Sequence, residues 1–282
     1  MCDDVCFTDL TRREFGAGAL AAGALLAAKG AYAADLTESE VSVTTADGNA
    51  DAFFVHPKTG THPGVLIWTD IMGLRPAFRD MGRRLASEGF AVLTPNPFYR
   101  NGPAGPEGLG LNFADPDARP KMMGLMGALT APGAAERDAG AYIAWLENQG
   151  AVKKGAKMGT SGYCMGGPLI MRTAAAYPDK IGAAASFHGG GLATDKPESP
   201  HLMIPRMKAQ LYIGVADNDD VKEPMVKDTL KAAFAAANVK AEIEVYKGAD
   251  HGWCVPGGRV YNEEAANRAY GKLVALFKTA LA

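Results

Sequence analysis

The sequence predicts an α/β protein built on a mostly parallel central sheet with helices on both faces, and three observations lead there. Short apolar runs rich in β-branched residues alternate with helical patterns along almost the whole chain. Several of these runs are apolar at consecutive positions, the mark of strands buried on both faces. No internal repeat or linker breaks the alternation after Leu36, which gives one domain over residues 34–282 behind a leader over 1–33.

The leader is read from Thr11-Arg12-Arg13-Glu14-Phe15, an uncharged small-residue run from Gly16 to Ala28, Lys29, and the small-x-small site Ala31-Tyr32-Ala33. This order resembles a twin-arginine export signal, so a cleaved leader and a periplasmic or secreted location are expected. A helix over 16–28 would reach about 20 Å, short of the roughly 30 Å of a bilayer core, which argues against a membrane anchor.

In the domain, Val41–Thr45 and Asp51–Val55 flank the turn residues Asp47-Gly48-Asn49 and predict a β-hairpin. Gly64–Trp68 is a buried strand, and the pattern from Pro76 through Phe78, Met81 and Leu85 to Gly89 is a helix. Phe90–Thr94 is the next strand. The stretch from Asn96 to Pro132, rich in Gly, Pro and Met, holds a helix only over Pro116–Leu129 and has the size of a lid or binding loop. Helix Ala134–Gln149, strand Ala156–Thr160 and helix Pro168–Tyr177 follow. Strands Ile181–Phe187 and Gln210–Val215, helix Glu223–Ala237, strand Glu242–Tyr246 and helix Asn262–Leu281 complete the order.

Composition narrows the function. With 48% hydrophobic and 21% charged residues the chain can bury a large core, which excludes bulk disorder. A net charge of −2, with no Lys/Arg-rich run and no basic stripe between aromatics, argues against nucleic acid as a partner. Losing the leader removes Cys2 and Cys6 and leaves Cys164 and Cys254, too few for a disulfide framework. No Cys-x-x-Cys or His-x-x-x-His spacing lies near them, so neither a metal nor an organic cofactor is expected.

The chemistry gathers in Gly162-Tyr163-Cys164-Met165-Gly166-Gly167, between a strand and a helix. This is the nucleophile-elbow pattern with Cys in place of Ser, and the helix behind it favours thiolate. An acid after a later strand and a His after the last one complete such a site, and Asp217 and His251 stand there. His251 would take the thiol proton while Asp217 orients its imidazole. Asp219, Asp220 and Asp250 compete for the acid role. Among the remaining histidines, His188 is the strongest alternative base, although a packing role suits it better.

These motifs, with Val65-Leu-Ile-Trp-Thr-Asp-Ile-Met-Gly73, resemble the dienelactone hydrolases (carboxymethylenebutenolidases), α/β-hydrolases with a Cys-His-Asp triad. The resemblance implies an oxyanion hole from the backbone N–H groups of Ile71 and Met165, and a thiol-modulating acid at Asp70, where the family commonly has Glu. It also implies a substrate-holding Arg where this chain has Val255, so Arg100, Arg119, Lys121 and Arg259 are the substitute candidates. The expected activity is hydrolysis of a small ester or lactone through a Cys164 thioester, with no stable membrane insertion and with the export machinery as a partner. A non-catalytic binding protein on the same fold and a thiol redox switch are the alternatives. Cys254 is expected to pack as a small apolar residue, against a disulfide with Cys164.

Overall fold

The computed structural model describes residues 35–110 and 116–282; the leader and its cleavage site lie outside the described residues. Eight strands form one sheet in the order β1-β2-β4-β3-β5-β6-β7-β8. They are β1 (Leu36–Thr45), β2 (Gly48–Pro57), β3 (Gly64–Trp68), β4 (Ala91–Pro95), β5 (Met158–Tyr163), β6 (Ile181–Phe187), β7 (Gln210–Ala216) and β8 (Ala241–Tyr246). β1 and β2 pair antiparallel, as do β2 and β4, and every other neighbouring pair is parallel. The hairpin extends several residues beyond the alternating core read from sequence, because its polar outer positions still pair along the edge.

Seven helices accompany the strands among the described residues: α1 (Pro76–Ala86), α2 (Ala118–Thr130), α3 (Ala134–Glu147), α4 (Gly166–Ala176), α5 (Asp217–Lys222), α6 (Val226–Ala236) and α7 (Glu263–Ala280). Period-two alternation sends Leu66 and Trp68 to one face of the sheet and Val65 and Ile67 to the other, and both faces are covered. One core layer packs Tyr142 and Ile143 of α3, Leu169 and Ile170 of α4 and Phe234 of α6. The opposite layer packs Phe78 and Leu85 of α1 with Leu273 and Phe277 of α7. α7 starts cleanly because the Asn262 side chain accepts the Ala265 N–H at 3.0 Å. No helix among the described residues is long and apolar enough to cross a membrane.

Two features of the sheet locate the chemistry. β3 pairs with β4 on one side and β5 on the other, so the chain reverses its direction of progress across the sheet between β3 and β5. The crevice beyond the carboxyl ends of such a strand pair is where open parallel sheets hold ligands. Trp68 and Gly162 lie in register there, so the segments following both strands emerge side by side. The second feature is α5, which continues directly from β7 at Asp217 and breaks before α6. The helix expected from Glu223 begins at Val226, and the separate short α5 stands before it, so the position read as a loop acid is the first residue of a helical turn.

Candidate active site

Cys164 follows β5 at once and precedes α4, with φ of +53°, a left-handed backbone that is strained for a side chain other than glycine. The neighbouring glycines make that turn possible. A Cβ at Gly162 would run into the Gly166 carbonyl, and a Cβ at Gly166 into the Trp68 carbonyl of β3. Gly166→Ala is therefore expected to destabilise the fold by about 3 kcal/mol, read as a lower denaturant midpoint with unchanged slope.

Around the elbow, Ile71, Cys164, Met165 and His251 share the wall of a cavity of about 400 Å³. Neither the Ile71 nor the Met165 N–H is taken by a hydrogen-bond partner among the described residues, as donors reserved for a developing oxyanion require. Met126 and Thr130 of α2 close another side, so the long stretch after β4 does supply part of the binding wall. Arg172 and residues 190–200 complete it.

His251 sits in a loop anchored by the fully buried Trp253. Its Nδ1 lies 2.6 Å from Asp219 Oδ2, and its imidazole shares the cavity wall with the Cys164 sulfur, close enough to feel it electrostatically. Burial disfavours its charge, but the hydrogen bond to Asp219 and then the nearby Cys164 outweigh it and push the pKa up to about 10. At neutral pH the imidazole is therefore held in its protonated form.

The acid therefore differs from the sequence expectation. Asp217 accepts the Gly248 N–H and the Lys247 ammonium, both at 2.9 Å, which lowers its pKa and turns it away from His251. Because α5 begins at Asp217, the residue two positions on is the one that faces the imidazole. Asn218 between them accepts the His251 backbone N–H at 2.9 Å. Asp220 pairs with Lys227 at 2.6 Å, and Asp250 is exposed.

The structure also departs from sequence at Asp70. Its carboxylate is held bidentate by Arg75, at 2.6 and 2.7 Å, and accepts the Met72 N–H. One methylene shorter than Glu and claimed by a nearby guanidinium, it shapes the turn that presents Ile71 and does not reach the thiol. The four substitute cations fail as substrate holders. Arg100 is bound to Asp47 and Asp138, while Arg119, Lys121 and Arg259 are exposed and outside the cavity. The cations that do line it, Arg172 and Lys196, were not singled out in the sequence, because one lies inside a helical apolar pattern and the other in a loop without a motif.

His188 is buried, at 1% exposure, with φ of +41°, and packs edge-on against His251 and Trp253 at ring distances of 5.0 and 5.1 Å. Burial drives its pKa well below the usual value, so it stays neutral, as a packing residue and not the base. Cys254 is a buried free thiol in the core layer opposite the cavity, its pKa raised by burial, and Cys164 is likewise free. Among the described residues no cluster of three or more His, Cys, Asp or Glu side chains could hold a metal ion.

A sheet of this order, with an elbow after β5 and a His loop after β8, defines an α/β-hydrolase. Residues 50–281 match the model of the dienelactone hydrolase family, and the chain belongs to that family and is a hydrolase. A protein of Synechocystis sp. provisionally named carboxymethylenebutenolidase is 29% identical over 226 residues, covering 79% of this chain and 88% of that one. One of Salmonella typhi with the same provisional name is 26% identical over 254 residues, 88% of each chain. Among solved structures, a provisionally assigned dienelactone hydrolase of Klebsiella pneumoniae superposes with a TM-score of 0.73 at 23% identity, over 86% of this chain and 99% of that one. The dienelactone hydrolase-like promiscuous phosphotriesterase P91, from metagenomic libraries, gives 0.71 at 21% identity, over 88% and 99%.

Proposed function

We propose that the protein hydrolyses a small ester or lactone through a thioester on Cys164, with His251 as base and Asp219 as its orienting acid. The observation that carries this reading is the His251 ring, bonded to Asp219, sharing the wall of one cavity with Cys164. The Cys164 thiolate attacks the carbonyl carbon, and the oxygen takes up charge beside the Ile71 and Met165 N–H groups. His251, protonated at the start, gives its proton to the leaving alcohol and then takes one from the water that cleaves the thioester. Family membership supports an ester or lactone as substrate. A panel of nitrophenyl esters and lactones tests the reading, with Cys164→Ala as control; an intact protein inactive across the panel, or one whose activity survives Cys164→Ala, would reject it.

We propose export as well: the leader's resemblance to a twin-arginine signal supports a periplasmic or secreted enzyme. Arg12→Lys combined with Arg13→Lys is expected to keep the protein in the cytoplasm, and the exported form to begin at Ala34. Mass spectrometry that finds residues 1–33 on exported protein would exclude cleavage there.

A further inference from the structure

The ionic content of the cavity bears on which ester enters it. Arg172, only 8% exposed, is the one buried cation on its wall among the described residues. Its guanidinium is already engaged: one nitrogen donates to Glu136 Oε1 at 3.0 Å and the other to the Glu198 carbonyl at 3.1 Å. These bonds tie α4 to α3 and to the 194–200 loop, which makes Arg172 a strut for the wall. Lys196 and Glu198 lie exposed on that same loop, two positions apart and opposite in charge, so the rim carries no net sign. The rest of the wall is mostly apolar: Ile71, Met126, Met165, Pro168 and Pro200, with Thr130, Thr194 and Ser199 among them. The positive groups nearest the sulfur, the His251 imidazolium and the α4 terminus, face the thiolate and the developing oxyanion.

An acyl group bound to Cys164 therefore lies against mostly apolar atoms with its far end near the exposed Lys196 and Glu198. A carboxylate at that end would lose its hydration and find, among the described residues, only the exposed Lys196 beside Glu198, a weak solvated partner, whereas an alkyl chain would gain by burial. We infer that this site takes neutral esters or lactones with an apolar acyl part and selects against those whose acyl part carries a carboxylate. The inference rests on the hydrolase reading above and goes further by naming the substrate class.

The test compares 4-nitrophenyl heptanoate with the 4-nitrophenyl monoester of adipic acid on the full chain. The expected kcat/KM ratio favours the heptanoate by about 100-fold. Equal rates, or preference for the adipate ester, overturn the inference while leaving the hydrolase reading intact. Glu136→Gln, which removes the carboxylate partner of Arg172 outside the cavity, is expected to raise kcat/KM for the adipate ester by about tenfold and to leave the heptanoate within about twofold. A change of both substrates in parallel counts against the pairing argument. If neither ester turns over, the hydrolase reading falls, and the cavity is then read by protection of Cys164 from iodoacetamide. Protection by heptanamide and not by adipic acid monoamide sustains the inference; the reverse order, or no difference, ends it.

Discussion

Cys164→Ala and His251→Ala should each lower kcat/KM for the best ester substrate by roughly 10⁴-fold, with little change in fold or thermal midpoint. In the proposed mechanism the sulfur forms the bond to the acyl carbon and the imidazole carries both proton transfers, so neither role has a substitute nearby. His188 packs against His251 but is buried and held neutral, which keeps it from taking over. Because the two groups act as one unit, the double variant should fall no more than a few-fold below Cys164→Ala. Steady-state kinetics on the three proteins, with circular dichroism to confirm folding, gives the comparison. A folded His251→Ala protein at wild-type turnover would falsify the assignment.

The second large effect separates two aspartates two residues apart. Asp219→Asn is expected to reduce kcat by about 10²- to 10³-fold, and Asp217→Asn by no more than about threefold. The pH dependence carries a signature of its own. With the carboxylate gone, the burial that disfavours imidazolium is opposed only by Cys164, so the pKa of His251 falls from its value of about 10. The His251 ring, followed by NMR, should therefore lose its proton near pH 10 in the wild type and at lower pH in Asp219→Asn. Stability follows the same linkage. A folded pKa above the ordinary 6.5 stabilises fully below about pH 6.5 and loses that contribution as pH rises through about 10. The wild-type thermal midpoint should drop across that window more than that of Asp219→Asn. An unchanged profile in the variant would return the acid role to another residue.

Why the sequence singled out Cys164 and His251, but named Asp219 only as one competitor of Asp217, has a physical answer. The elbow announces itself because only glycine fits at Gly162 and Gly166, where backbones touch, and the nucleophile's place between them is fixed by covalent spacing. The His follows the last strand, whose alternation marks its end. The acid depends instead on helical phase: residues 217–220 all carry polar side chains, and which of them faces His251 is set by where α5 starts. Periodicity over so short a helix carries no signal. The strand and helix order was legible for the same reason as the elbow, since doubly buried strands leave long apolar runs. The cavity was not, because its walls come from α2, α4 and a loop that meet only after the chain has folded.

The bonds between residues 217–219 and the His loop carry a kinetic consequence. Asp217 holds Lys247 and Gly248 through its side chain and Ala249 through its N–H, Asn218 holds the His251 N–H, and Asp219 holds the His251 ring. Three successive residues thus zip two segments together, so that one cannot fray without the other. Opening of this clasp would disengage base and acid in a single event, and inactivation by partial unfolding should show one rate for both. Hydrogen exchange at the Asp217, Gly248 and His251 amides is accordingly expected to proceed in step, as one cooperative unit whose opening is independent of the core strands. Asp217, though not the catalytic acid, is then the residue whose loss most hastens that opening.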